Sequence, residues 1–110
     1  MADWLCHDDG RVLASVEMAT TAGARRVGLI GREGIDGALF LAPAFAVHTL
    51  GVRFPIDVAY LSKDFVVLRT ATMRPRRIGW PRLRAKAVIE AEAGAFERWG
   101  LRRGDKVDIR

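Results

Sequence analysis

The sequence predicts a mainly β, α+β chain: one compact β sandwich or barrel carrying one or two short helices. Three observations lead there. Apolar residues recur in runs of strand length, several with the two-residue alternation of a half-buried strand. Gly, Pro and Asp clusters punctuate those runs at turn and hairpin spacing. Only two stretches carry apolar residues at helical spacing. With 110 residues and no repeat or linker, residues 1–110 read as one domain. A chain of this size buries about two thirds of its unfolded surface, enough for a core without disulfides.

Residues Met1 to Gly10 read as a lead-in ending in a turn at Asp8-Asp9-Gly10. From Arg11 to Met18, Val12, Ala14 and Val16 alternate with Leu13, Ser15 and Glu17, a strand pattern. Thr20 and Thr21 can cap a helix, because a threonine oxygen accepts from an unpaired first-turn amide. The following AGARRVGLIGR is expected to be that helix, with Gly31 and Gly34 ending it. Asp36-Gly37 signals a turn, and Ala38 to Leu41 a buried strand.

Phe45 to Leu50 reads as a further strand, broken at Gly51. Pro55 removes a backbone donor, and from Ile56 the alternation resumes to Leu61. Ser62-Lys63-Asp64 makes a hairpin connection to Phe65-Val66-Val67-Leu68. Met73 to Arg84 lacks periodicity and contains two prolines, so it is a long loop. Ala85 to Ala91 reads as a strand and Glu92 to Trp99 as a short helix, stopped by Gly100. Lys106 to Ile109 closes the chain as a last strand.

In that order and spacing, several motifs resemble the bacterial and archaeal family called domain of unknown function 192 (DUF192). They are Gly28-Leu29-Ile30-Gly31-Arg32, Gly37-Ala38-Leu39-Phe40, His48-Thr49, Pro55-Ile56-Asp57, Val88-Ile89-Glu90 through Ala93-Gly94, Gly100 and Gly104-Asp105. The resemblance runs from about Val12 to Ile109 and implies a compact β sandwich or barrel with one or two short helices. It implies no particular reaction. Many members carry Met-Lys-Asn-Thr where this chain has Val47-His48-Thr49, so the family pattern fixes no base before the threonine.

Cys6 is alone, which excludes an intramolecular disulfide, and no paired-cysteine metal spacing occurs. Acids and a histidine occupy the start, where a secretory signal needs a basic end and an apolar run. No stretch reaches the ~18 apolar residues that cross a bilayer. The chain therefore reads as cytoplasmic, with no membrane partner. Phosphate-loop and dinucleotide fingerprints are missing, so no cofactor is expected. His7, His48, Asp57 and Glu90 lack ligand spacing, so no metal is expected either.

The candidate ligand-binding residues are Arg32, His48, Thr49, Arg53 and Asp57. If the chain doubles back at Arg53-Phe54-Pro55, His48 and Arg53 face one groove, and Arg32 and Arg53 offer bidentate recognition of carboxylate or phosphate. Its occupant would be a small polar or anionic ligand or a peptide. The alternative is a hydrolase-like enzyme in which Asp57 orients His48, although no catalytic motif is recognisable. A further alternative uses the basic loop over residues 69–86. Arg74, Arg76, Arg77, Arg82 and Arg84 surround Trp80 there, with no acid between Asp64 and Glu90. Guanidinium and indole together suit weak single-stranded nucleic-acid binding. A solvated surface loop explains the same residues, and nucleic acid is disfavoured because no known module is present. The sequence assigns no oligomeric state.

Overall fold

The computed structural model describes residues 3–110. In chain order it contains β1 (Asp3–His7), β2 (Val12–Ala19), α1 (Ala22–Val27), β3 (Ala38–Leu41), β4 (Ile56–Leu61), β5 (Val67–Met73), β6 (Ala87–Glu92), α2 (Ala95–Trp99) and β7 (Val107–Ile109). The strands form one seven-stranded sheet in the order β5-β4-β6-β3-β2-β1-β7. Among the described residues only β2 and β3 run parallel, joined through α1; the other strand pairs are antiparallel. The sheet curls into a half-barrel whose edges meet at one end. Val67 there donates to Asp105, Gly104 donates back to Val67, and Val66 bridges Lys106. Closing an edge in this way removes unpaired ladder groups.

Curling gives the sheet two apolar faces. Ala59 and Leu61 of β4, Ile89 of β6 and Phe40 of β3 fill the inner face with Leu5, Phe96 and Val107. Val58 and Tyr60, Val88, and Leu39 and Leu41 of the same strands point outward and are covered by Leu29, Ile35, Val47 and Val52. All six residues of β4 are consequently buried. The outer cover is made of irregular chain, and the polar groups of interest lie within it.

Several boundaries differ from the sequence reading, each for a physical reason. The expected lead-in, of which Met1 and Ala2 lie outside the described residues, contains β1. It pairs with β2 on one side and β7 on the other, a partner about one hundred positions away that no local pattern reveals. α1 is shorter than expected. Thr21 caps it by accepting from the Ala24 amide at 3.1 Å, but Gly28 at φ 47° already ends it, before Gly31 or Gly34.

Phe45 to Leu50 does not join the sheet. The ladder positions beside β3 and β4 are taken by β6, so this segment lies against the outer face instead. It pairs there with the long loop through Thr49 to Arg77, Gly79 to Val47 and Arg82 to Phe45. The hairpin turn is also longer than the sequence suggests. Phe65 takes φ 62°, and Ser62 accepts from the amide of Val66, so β5 begins at Val67.

Candidate functional site

The sheet itself sorts the polar candidates. Asp57 shares the inner face of β4 with Ala59 and Leu61, and is only 5% exposed. Its carboxylate accepts from the Thr72 hydroxyl at 2.8 Å, the Gly94 amide at 3.0 Å and the Phe96 amide at 3.2 Å. Asp57 therefore holds the start of α2 against the hairpin. His48 lies beyond the outer face, so the sheet stands between the two residues and no acid–base pair forms.

Thr49 is fully buried and organises the long loop. Its hydroxyl donates to the Arg74 carbonyl at 2.6 Å and accepts from the Arg77 amide at 2.8 Å. Its own amide donates to the Arg77 carbonyl at 2.7 Å, and its carbonyl accepts from the Arg76 amide at 3.1 Å. These bonds hold Arg76 at φ 63°, a left-handed conformation costing a non-glycine residue roughly 1 kcal/mol. Gly79 lets the loop approach closely. A Cβ there would lie 2.9 Å from the Val47 carbonyl oxygen.

The loop so fixed forms one wall of an open cleft of about 840 Å³. Arg53, Arg74, Arg76 and Arg77 line it, together with Ile30 and Val52, and no carboxylate does. Among the described residues none of these four arginines forms an ion pair. Arg32 is placed apart from them. Its guanidinium holds both carboxylate oxygens of Glu17, at 3.0 and 2.9 Å, and this pairing keeps the Glu17 carboxyl below its ordinary range.

At the other end of the loop, Arg69, Arg82, Arg84 and Arg103 line a hollow of about 430 Å³ beside Tyr60. Arg82 stacks over the Tyr60 ring at 5.9 Å, and burial pushes the phenol up from its ordinary value. Between the two arginine groups, Ile78 and Trp80 extend into solvent, 77% and 80% exposed.

A smaller hollow, about 70 Å³, lies under α1. His48 lines it, while Arg53 belongs to the cleft on the far side of Ile30 and Val52, which line both. The expected single groove is thus two compartments. The residue that sequence reasoning underweighted is Glu90, considered there only as a metal donor. It lines the small hollow at 6% exposure, and burial pushes its carboxyl up to about 7. Its one sequence signal is an acid inside the apolar run Ala87 to Ala91.

The fold is shared with solved structures. A protein of unknown function from Novosphingobium aromaticivorans superposes with a TM-score of 0.81 at 21% identity, over 98% of this chain and 84% of that one. A putative transcription regulator from Sinorhizobium meliloti does so with a TM-score of 0.81 at 20% identity, over 97% and 91%. In sequence, a UPF0127 protein of Pyrococcus horikoshii is 29% identical over 97 residues, and one of Pyrococcus abyssi 31% identical over 98. Each alignment covers 84% of both partners. The family model of DUF192, described as Uncharacterized ACR, COG1430, matches residues 5–109, and the chain belongs to that family.

Proposed function

We propose that the chain is a non-catalytic binding module that holds a small anionic ligand, a phosphate or carboxylate, in the cleft of Arg53, Arg74, Arg76 and Arg77. One observation carries the reading: four arginines, none of them ion-paired among the described residues, line one cleft from two segments tied together by buried Thr49. Guanidinium forks match phosphate and carboxylate oxygens in pairs. A wall fixed in advance lowers the ordering cost of binding. The volume suits a small molecule. Among the sequence candidates, Arg53 contacts the ligand, Thr49 positions the loop, and Asp57 and Arg32 serve the scaffold. The buried thiol of Cys6 supports a reducing, cytoplasmic setting for this activity.

Titration with inorganic pyrophosphate at low salt tests the reading. Thermal stability should rise with ligand as mass action requires, and the rise should disappear in Arg53→Ala combined with Arg76→Ala. No stabilisation by millimolar pyrophosphate removes the proposal.

A second reading has its own observation: two arginine-lined hollows at the ends of one loop, with exposed Trp80 between them. That spacing suits a single-stranded polyanion whose bases stack on the indole. Oligonucleotide affinity should then fall with salt at a log–log slope of about −0.7 per phosphate neutralised, and Trp80→Ala should weaken it. Binding of pyrophosphate without oligonucleotide binding leaves only the first reading.

A further inference from the structure

Glu90 occupies the middle of β6, opposite Leu39 of β3 and Val58 of β4. Both neighbours belong to the outer apolar core, and every other buried residue of β6 is apolar. A valine at this position would cost less, because a carboxyl only 6% exposed and without a hydrogen-bond partner among the described residues loses most of its hydration. Burial perturbs Glu90, and among the described residues no hydrogen bond or charge offsets it. Its side chain instead lines the hollow of about 70 Å³ under α1. The floor there is Leu29, Leu41, Val47 and Val52, all buried, and exposed Ala46 and His48 stand at the mouth.

The charged and titratable groups around this hollow do not neutralise Glu90. From α1, Arg25 turns its guanidinium to the carbonyls of Thr20 and Ala42, at 3.0 and 3.3 Å, and Arg26 is exposed. From the segment below, His48 accepts the Leu50 amide on Nδ1 at 3.2 Å. From β4, Tyr60 feels the Glu90 charge only as repulsion of its own phenolate. From β3, Leu39 and Leu41 are apolar.

The occupant follows from this chemistry. A metal ion needs more donors, and among the described residues no group of three or more carboxylate, imidazole or thiol side chains converges. An anion would meet a carboxylate. A primary ammonium supplies both the charge and the donors that Glu90 lacks, and an alkyl chain suits the aliphatic floor. We infer that the hollow under α1 is a binding site for a primary aliphatic amine, its ammonium paired with the Glu90 carboxylate and its methylenes against Leu29, Val47 and Val52. Arg25 and Arg26 beside the mouth select a monoamine over a diamine, whose second charge would meet them. This site is separate from the arginine cleft and does not rest on its function.

The test is titration of the intact protein with n-propylamine at pH 8 and pH 5.5, followed by calorimetry, with 1,3-diaminopropane as comparison. Binding should saturate at pH 8 and weaken at least tenfold at pH 5.5, where protons compete for the carboxylate. It should be undetectable in Glu90→Gln with an unchanged circular-dichroism spectrum. The diamine should bind more weakly. If the variant does not fold, the wild-type Glu90 carboxyl resonance replaces it: n-propylamine should lower that group's titration midpoint. No binding at pH 8, equal binding in Glu90→Gln, or an unmoved Glu90 midpoint overturns the inference and leaves a water-filled hollow.

Discussion

Thr49 and Arg77 are joined in both directions. The Thr49 amide donates to the Arg77 carbonyl at 2.7 Å, and the Arg77 amide donates to the Thr49 hydroxyl at 2.8 Å. One buried side chain thereby fixes the backbone that carries Arg74, Arg76 and Arg77. The arginine cleft owes its shape to a residue that does not line it.

Thr49→Val keeps the shape of that side chain and removes its hydroxyl. The Arg74 carbonyl and the Arg77 amide then lose their partner, which costs roughly 2 kcal/mol in urea unfolding. Pyrophosphate binding should fall in the same variant, because the cleft wall is no longer held.

Arg53→Ala should weaken pyrophosphate by about tenfold, the loss of one charge-assisted contact. Arg32→Ala should leave that affinity unchanged, since the Arg32 fork is occupied by Glu17. Removing this partly exposed pair should cost at most about 1 kcal/mol of stability. Isothermal titration of both variants distinguishes the ligand-facing arginine from the scaffold one.

Glu90 makes stability depend on pH in a defined direction. Its carboxyl rises from an ordinary 4.5 to about 7 on folding, so between those values the folded chain keeps a proton that the unfolded chain releases. Stability is therefore lost as pH rises from about 4.5 to 7, by an amount on the order of 3 kcal/mol. Glu90→Gln carries no titrating proton. The stability difference between wild type and variant, from urea unfolding at pH 5 and pH 8, should shift in favour of the variant at the higher pH. An equal difference at both pH values contradicts this burial effect.

Asp57→Asn should destabilise without touching the cleft. An asparagine can keep the Gly94 and Phe96 amides only on a neutral oxygen, and its nitrogen then faces the Thr72 hydroxyl, so two charge-assisted bonds weaken and the third reverses direction. A loss of roughly 2–3 kcal/mol is expected, with pyrophosphate affinity unaltered.

Local pattern alone made much of this fold legible. Ala38 to Leu41 and Ile56 to Leu61 are strands with the bounds read from sequence. Thr21 and Gly100 cap helices because their side chain and missing side chain, respectively, act within a few residues. β1 was not legible, because its five residues do not alternate: Leu5 and Cys6 are both buried, between β2 on one side and the distant β7 on the other. Phe45 to Leu50 has strand composition, but composition does not say whether a ladder position is vacant.

The candidate site divides in the same way. The sequence by itself determined the residue types: an acid-free arginine tract, a threonine beside His48, and an acid within the apolar run Ala87 to Ala91. Tertiary structure alone decided their grouping. Alternation along β4 and β6 sends Asp57 to one face and Glu90 to the other, while Ile30 and Val52 stand between His48 and Arg53. Which side chains share a compartment depends on the curl of the sheet and on what covers it, and those are set by contacts between residues far apart in the chain.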